Sequence, residues 1–242
     1  MESIRILRKR LQRKIGAAIS AYGLIDPGDT VLLGLSGGKD SLALLDLLAE
    51  RMRRSQGRWN LKAVHVDLEN VGYNVNMDYL YDFAKGHGVE LTILSGRLEE
   101  DRNKKRPTCF LCSWTRRKMM FDFAQKNGCT KIALGHHKDD IVKTALMNLT
   151  FAGSFSTMPA KLRMRKFPVS IIRPLCLVEE EDLIEWNEMN AYKKLKTQCP
   201  YDTKSSRTDI SAACKTLESL SPEWKRSIFH ALEKDGKLIQ ED

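Results

Sequence analysis

The sequence has no apolar run long enough to cross a membrane, since charged residues such as Asp46 interrupt its most hydrophobic stretches. Residues 1–16 are rich in Arg and Lys and lack the apolar core and the small-residue cleavage site of a secretory signal. Internal repeats and low-complexity tracts are also missing. These absences argue against a membrane-spanning protein, a secreted protein and a repeat array. They predict a cytoplasmic globular protein with no membrane partner.

The six cysteines of this 242-residue chain show no disulfide framework. In a cytoplasmic protein they indicate metal binding or thiol chemistry instead. Cys109 and Cys112 have the C-x-x-C spacing that can hold one metal centre. A second C-x-x-C pair is absent, and His136-His137 lacks zinc-finger spacing, so a two-pair zinc site is not expected.

The net charge of +9 is unevenly distributed along the chain. Six Arg or Lys against one Glu give residues 1–16 a charge of +5, and seven against one Asp give residues 101–118 a charge of +6. Residues 161–166 add four positive charges, so the remainder of the chain is acidic. Separate solvated faces would also produce such runs. Because all three flank the motifs below, we predict a nucleic-acid surface. Its predicted contacts are Arg8, Arg10, Arg13, Arg117, Lys161 and Arg163.

Hydrophobic periodicity predicts strands that alternate with helices, which is typical of an α/β protein with a doubly wound, mainly parallel sheet. Five strands are predicted: 30–35, 61–67, 89–94, 131–135 and 168–173. The predicted helices are 4–22, 41–52, 75–87, 111–126, 139–151 and 179–190. We divide the chain into a basic N-terminal helix and turn (1–28), a central α/β domain (29–198) that carries the motifs described below, and a C-terminal loop with short helices (199–242).

A glycine-rich loop, Ser36–Ser41, joins the first predicted strand to the helix that follows it. Its glycines allow backbone N–H groups to approach phosphate oxygens, and the helix N-terminus adds donors and partial positive charge. The loop is not a Walker A motif, because Asp40 follows its lysine, and it is not G-x-G-x-x-G, because Ser36 replaces the second glycine. The loop is therefore predicted to bind an anion, such as a nucleotide phosphate, through Ser36, Gly37, Gly38, Lys39, Asp40 and Ser41.

This loop and a second block, Gly135–Thr144 ("GHHKDDIVKT"), resemble the two motifs of the PP-loop ATP pyrophosphatase superfamily. The resemblance implies a Rossmann-like fold of the PP-loop/HUP type and cleavage of ATP to AMP and pyrophosphate. The second block differs from the family pattern at Lys143, where many members carry glutamate. Further ATP-binding residues are predicted at the ends of the second and fourth strands: His65, Asp67, Gly135 and His136.

Asp139 and Asp140 begin the helix of the second block. Their acidity alone would suit a helix N-terminus. Opposite a phosphate loop, however, a pair of carboxylates is also a plausible Mg²⁺ site, since Mg²⁺ takes carboxylate and phosphate oxygens. We therefore predict that Asp40, Asp139 and Asp140 bind Mg²⁺.

The cysteine pair needs a third ligand if it holds a metal cluster. Three cysteines that lie next to strands or within a helix are expected to be small buried side chains: Cys129, Cys176 and Cys214. Cys199, in "QCPYD", lies in a loop before a proline, where a ligand can be presented. Together, Cys109, Cys112 and Cys199 would bind a 4Fe-4S cluster and leave one iron open for sulfide. The alternative is a pair of redox cysteines that carries a persulfide.

The combination of motifs resembles one family, the tRNA 2-thiocytidine synthetases, over roughly residues 5–200. The resemblance extends from the loop through "CFLCSWTRR" and "ALGHHKDD" to "MPAKLRM" and "IIRPL". "CPYD" is more similar to thiouridine-forming enzymes, whose flanking zinc-binding cysteine pairs are absent here. The family implies that a pyrimidine C2 oxygen of tRNA, most simply of an anticodon-loop cytidine, attacks the α-phosphate of ATP and is then replaced by sulfur. Asp140 and Arg116 align with catalytic positions of the thiouridine branch, although Arg116 is equally suited to a phosphate contact.

The implied partners are tRNA and a sulfur donor, either a cysteine desulfurase or sulfide, and a homodimer is possible. Two other functions fit parts of the sequence. One is a PP-loop ligase or amidotransferase that acts on a small molecule without a cluster. The other is a tRNA-binding protein without catalytic activity.

Overall fold

A computed structural model describes residues 2–71, 75–98, 108–165, 167–193 and 206–241. The helices are α1 (Glu2–Tyr22), α2 (Lys39–Arg54), α3 (Met77–Gly86), α4 (Thr108–Lys126), α5 (Lys138–Ala152), α6 (Glu180–Met189), α7 (Ser206–Leu220) and α8 (Trp224–Lys234). The strands are β1 (Thr30–Gly34), β2 (Asn60–Leu68), β3 (Glu90–Gly96), β4 (Lys131–Ala133), β5 (Lys161–Arg163), β6 (Ser170–Ile172) and β7 (Ile239–Glu241).

The strands form one sheet in the order β3-β2-β1-β4-β6-β5-β7. Strands β3, β2, β1, β4 and β6 are mutually parallel and correspond to the five predicted strands, which confirms the α/β, mainly parallel architecture. The predicted strand number is wrong, because β5 pairs antiparallel with β6 and β7 extends the same edge. None of the residues in these two short strands is buried, so no buried apolar run in the sequence marks them.

The sheet order reverses between β1 and β4, because the chain continues from β1 to β2 on one side and returns to β4 on the other. In open α/β sheets, ligands bind at such a switch point, outside the carboxyl ends of the strands. The Ser36–Ser41 loop follows β1 and the Gly135–Thr144 block follows β4. The topology therefore brings the two sequence motifs to one edge of the sheet.

The largest hydrophobic core joins all three predicted segments of the chain. Leu7, Leu11 and Ile15 of the amphipathic helix α1 are buried in it. Phe229 of α8 packs in the same core. The boundaries near residues 28 and 199 therefore remain a sequence prediction, since the segments share a single buried interior.

Across the described ranges, none of the helices combines the length and the apolar character needed to traverse a lipid bilayer.

Candidate nucleotide and thiol site

Two serine hydroxyl groups form hydrogen bonds within the Ser36–Ser41 loop. The Ser36 and Ser41 hydroxyls lie 3.1 Å apart, and the Ser41 hydroxyl donates to the Gly38 carbonyl at 2.9 Å. Gly37 has a φ of +86°, a conformation that glycine adopts without steric strain. The loop ends as the N-terminal turn of α2, so backbone donors and the helix dipole converge where an anion would bind.

Lys39, the lysine of this loop, is contacted by two residues of helix α6. Its ammonium lies 2.8 Å from an Asp40 oxygen and 3.2 Å from Glu180 Oε1. The Asn187 amide donates to the Lys39 carbonyl at 3.2 Å. Although burial opposes the charge, the two carboxylates raise the pKa of Lys39 above its ordinary value. Lys39 is thus a fixed cation at the mouth of the loop.

Gly135 is placed to support the loop. A Cβ atom at position 135 would lie 3.1 Å from both the Asp40 carbonyl carbon and the Ser41 nitrogen. The segment after β4 therefore packs directly on the backbone of the loop, and a Cβ at position 135 would require that backbone to shift. Gly135 was predicted to bind ATP, and its geometry supports an indirect contribution through the shape of the loop.

His65 lies beneath the loop, near the end of β2. It is buried, and its Nδ1 lies 2.7 Å from the Leu35 carbonyl, so Nδ1 carries the proton and donates. Burial lowers the pKa of His65 below its ordinary value, which keeps the imidazole neutral. Asp67 is half-buried two residues further along the same strand. Both predicted residues are close to the carboxyl edge of the sheet.

A cavity of about 210 Å³ adjoins the second motif. Its polar lining comes from His136, Asp140 and Lys143, and its far wall includes Ile210 of α7. The Arg173 guanidinium lies 3.4 Å from His136 Nδ1. The structure therefore brings the predicted residues His136 and Asp140 together with Lys143 around one cavity.

Lys143 is linked to the loop lysine through one carboxylate. Its ammonium lies 3.2 Å from Glu180 Oε2, while Lys39 binds the other oxygen of Glu180. Burial favours the neutral acid, but the two ammonium groups hold the pKa of Glu180 below its ordinary range. Glu180 therefore binds one cation from each motif, Lys39 on one carboxylate oxygen and Lys143 on the other.

Asp139 has protein partners at both carboxylate oxygens. Oδ1 lies 2.8 Å from the Lys225 ammonium of α8, and Oδ2 accepts from the Glu180 backbone N–H at 2.8 Å. It is 2% exposed, and despite burial the His137 and Lys225 contacts hold its pKa well below the usual range. This geometry does not favour the magnesium role predicted for Asp139. It indicates instead that Asp139 joins α5, α6 and α8.

Helix α4 carries the cysteine pair toward the same edge of the sheet. Cys112 is buried and Cys109, one turn earlier, is exposed. Arg116 follows one turn after Cys112 and lines a pocket of about 130 Å³ with Ser36 and His65. The predicted residues Cys109, Cys112 and Arg116 therefore occupy neighbouring positions on a helix that borders the loop. Cys199 lies outside the described residues.

The other three cysteines are buried, as the sequence predicts. Burial raises the pKa of the Cys129 and Cys214 thiols, and it raises that of Cys176 to about 12. A thiol with a raised pKa is a poor nucleophile and a poor metal ligand at neutral pH. These three residues are suited to packing and not to chemistry.

The predicted RNA-binding residues differ in whether their charged groups already have partners within the protein. Arg10 binds Asp182 at 2.6 Å and Glu185 at 3.2 Å. The Lys161 ammonium donates to the Gly23 carbonyl at 2.5 Å. The Arg8 guanidinium lies 5.2 Å from the Trp186 ring. Arg13, Arg117 and Arg163 are exposed, and Arg163 also pairs with Glu241 at 3.3 Å.

Five residues of the site are not among those predicted from the sequence: Lys143, Arg173, Glu180, Asn187 and Lys225. The acidic run at 179–182 is visible in the sequence, but its cationic partners lie on four other elements. Only the tertiary structure connects them. Lys143, which stands where many family members carry glutamate, is the one sequence departure that belongs to these Glu180 contacts.

A parallel sheet with a glycine-rich anion loop at its switch point defines a nucleotide-binding α/β protein. The family model described as a PP-loop domain matches residues 7–210. The chain is 36% identical over 234 residues to the tRNA-cytidine(32) 2-sulfurtransferase of Shewanella loihica, covering 94% of this chain and 73% of that one. It is 34% identical over 236 residues to tRNA-cytidine(32) 2-sulfurtransferase 1 of Francisella tularensis subsp. novicida, covering 96% and 88%. The chain thus belongs to the PP-loop family, among the tRNA-cytidine(32) 2-sulfurtransferases, which confirms the resemblance inferred from its motifs.

Solved structures support the same placement. The U34-tRNA thiolase NcsA from Methanococcus maripaludis, solved with its 4Fe-4S cluster, superposes with a TM-score of 0.77 at 28% identity. The match covers 96% of this chain and 79% of that chain. The NH3-dependent NAD synthetase from Campylobacter jejuni has a TM-score of 0.52 at 12% identity and shares the fold alone.

Proposed function

We propose that this protein is an ATP-dependent tRNA 2-thiolation enzyme that replaces the C2 oxygen of a cytidine in the anticodon loop with sulfur. The observation that carries the proposal is the convergence of the phosphate loop, the second motif and the Cys109–Cys112 helix at one edge of the sheet. The names of the relatives support the substrate class, and the convergence of the motifs supports a shared site for the reactants.

The first half-reaction is adenylation. ATP binds over the Ser36–Ser41 loop, where backbone N–H groups and Lys39 offset the charge of the phosphates. The C2 oxygen of the base attacks the α-phosphorus, the bond to the β-phosphate oxygen breaks, and pyrophosphate leaves. Arg116, close to Ser36 in the 130 Å³ pocket, is positioned to bind the α-phosphate or the phosphate of the target nucleotide.

The second half-reaction replaces oxygen with sulfur. A sulfide-level sulfur attacks C2, the C2–O bond breaks, and AMP leaves with the former carbonyl oxygen. The 130 Å³ pocket is lined mainly by apolar side chains next to buried His65, and we infer that this lining disfavours hydrolysis of the adenylated base. The donor of the sulfur, a cysteine desulfurase or free sulfide, is part of the proposal.

Cys109, Cys112 and Cys199 are proposed to hold a 4Fe-4S cluster. The donor chemistry fits at the described pair, because two thiols one turn apart lie at the start of a helix next to the nucleotide loop. If these three cysteines hold the cluster, it would supply an iron-bound site for the sulfur. The alternative, a persulfide on the same pair, stays open.

Mg²⁺ is proposed to bind between ATP and the carboxylates of Asp40 and Asp140. Among the described residues no group of three or more His, Cys, Asp or Glu side chains is arranged as a metal site. That finding is compatible with Mg²⁺, which is commonly held by one or two carboxylates together with substrate phosphates. Asp140 borders the 210 Å³ cavity, and Asp40 lies in the loop itself.

The proposal is tested by nucleoside mass spectrometry of tRNA incubated with anaerobically purified protein, ATP and sulfide. We expect 2-thiocytidine, and equal amounts of AMP and pyrophosphate. Cys109→Ala, Cys112→Ala and Cys199→Ala should each lose the product, whereas Cys129→Ala should retain it. Thiouridine in place of thiocytidine would assign the protein to the reaction named for NcsA. Pyrophosphate release with a small molecule and no tRNA would favour a ligase.

A further inference from the structure

One face of helix α4 exposes large aromatic side chains next to positive charge. Trp114 is 49% exposed and Phe110 is 47% exposed. Arg117 and Lys118 are exposed and follow at positions that share this face, because residues three, four, seven and eight apart lie on one side of a helix. We call these four residues the aromatic-basic stripe.

Two contacts order the side chains of the stripe. The Lys118 ammonium lies 5.5 Å from the centroid of the Trp114 ring, within the range of a cation–π interaction. The Arg117 Nε donates to the Ser113 carbonyl at 3.2 Å, which fixes its side chain along the helix. The exposed Trp114 ring thus lies within cation–π range of Lys118, and Arg117 follows it on the same side of the helix.

Trp114 also differs from the other tryptophans of the chain. Trp59, Trp186 and Trp224 are all buried, with exposures of 7%, 0% and 5%. Exposing a tryptophan leaves a large apolar area in water, which costs free energy unless a partner covers it. The exposed tryptophan therefore points to an interaction.

The charge of the stripe selects the class of partner. Its four members include two cations, and the preceding segment 102–106 adds four more in the sequence. A protein surface that combines exposed aromatic rings with Arg and Lys is suited to single-stranded nucleic acid, whose bases stack on the rings while phosphates contact the cations.

The position of the stripe selects which bases are bound. It lies on the face of α4 beside the one that carries Cys109, Cys112 and Arg116. A base that enters the site must leave the stack of the RNA loop, so its former neighbours lose a stacking partner. An aromatic ring just outside the site can replace that partner.

We propose that the aromatic-basic stripe is a stacking platform for unpaired anticodon-loop bases next to the modified nucleotide, with Trp114 as the main stacking residue. This inference rests on the proposed function, because it takes tRNA as the substrate. It adds a residue that determines how the RNA is held.

Trp114→Ala tests the platform directly, by fluorescence anisotropy of a dye-labelled anticodon stem-loop RNA. One lost stacking contact corresponds to about 5- to 150-fold in affinity, and we expect about 10-fold at every salt concentration. Trp114→Phe should restore most of the affinity. Lys118→Ala should instead lower the salt dependence by about one counterion. The matched control is Phe151→Ala, since Phe151 is 59% exposed at the end of α5.

A second measurement needs no loss of binding. Because Trp114 is exposed while the other three tryptophans are buried, RNA should quench the long-wavelength part of the intrinsic fluorescence. That quenching should disappear in Trp114→Phe. If it persists there, Trp114 is not the stacking residue.

The outcomes separate this inference from the function on which it rests. If the wild-type protein forms thiocytidine and Trp114→Ala binds RNA within twofold of it, only the platform is refuted. An equal loss in Phe151→Ala refutes it as well. If Trp114→Ala slows sulfur delivery but leaves RNA affinity intact, the stripe instead binds a protein donor. If the wild-type protein neither binds the RNA nor releases pyrophosphate with tRNA, the proposed function itself fails.

Discussion

Gly135→Ala should weaken ATP binding although residue 135 needs no contact with ATP. The added Cβ would lie 3.1 Å from the Asp40 carbonyl carbon, 3.1 Å from the Ser41 nitrogen and 3.2 Å from the Asp40 oxygen. All three are backbone atoms, so no side-chain rotation relieves the contact. Either the start of α2 or the end of β4 must move by a few tenths of an ångström.

Both elements resist this movement. Strand β4 is paired on both sides, with β1 and with β6, and the first turns of α2 are buried. Overpacking of this kind costs about 1–3 kcal/mol. For a chain of this size each kcal/mol lowers the Tm by about 2–4 °C. The same shift misaligns the N–H groups of the loop, and we expect about 10-fold weaker ATP binding, which corresponds to about 1.4 kcal/mol.

The measurements are titration calorimetry with a non-hydrolysable ATP analogue and thermal unfolding. Gly86→Ala is the matched control, because a Cβ there meets nothing within 4 Å. The control should bind ATP like the wild type and gain about 0.4–1 kcal/mol of stability. Wild-type ATP affinity together with a wild-type Tm in Gly135→Ala would refute the supporting role of Gly135.

Three further predictions concern other parts of the site and of the core. Gly38→Val should abolish measurable ATP binding in the same calorimetric titration and leave the Tm nearly unchanged, because a Cβ at 38 meets only the Ser36 hydroxyl, at 3.5 Å. The Asp46 carboxylate raises the pKa of His87 above its ordinary 6.5, so this stabilisation is fully present below pH 6.5 and is lost as the pH rises through the folded-state value. Urea unfolding should therefore show a larger stability difference between wild type and His87→Gln at pH 6 than at pH 8.5; an equal difference at both would contradict it. Arg117→Gln should reduce the salt dependence of tRNA binding by about one counterion, and Arg10→Gln should leave it unchanged, since Arg10 is already paired with Asp182.

The sequence was sufficient for the parts of the fold that are locally encoded. The five parallel strands and the helices between them follow from apolar runs and helical periodicity. Strands β5 and β7 do not, because β5 is a half-exposed Lys-Leu-Arg and β7 an Ile-Gln-Glu at a sheet edge. Their strand character comes from pairing with distant residues.

The site divides in the same way. The Ser36–Ser41 loop could be predicted because a phosphate cradle is built from neighbouring residues of one turn. The two salt bridges of Glu180 could not be predicted, since Lys39 and Lys143 are far from it in the sequence and contact it only at the switch point. Asp139 shows the converse, because an acidic pair that looks like a metal site includes one member whose oxygens bind Lys225 and a backbone N–H.

The predicted RNA surface on α1 also depends on contacts that the sequence does not show. Helix α1 has the basic run that first suggested nucleic acid, yet the structure places it against α6. Lys14 binds Glu179 and Asp182 there, and Arg10 binds Asp182 and Glu185. Charges neutralised in this way attract a polyanion weakly, so α1 contributes less positive potential than its sequence suggests.

The cations of helix α4 are differently placed. Arg117 and Lys118 are exposed beside the cysteine pair, on the face that also presents Trp114. Charge pairing and aromatic exposure are independent observations, and both favour α4 over α1 as the helix that meets the RNA. In the proposed reaction the C2 atom of the base must reach both the α-phosphate and the sulfur, so the RNA would be held where the nucleotide loop and the thiols adjoin. Helix α4 is the element that borders both.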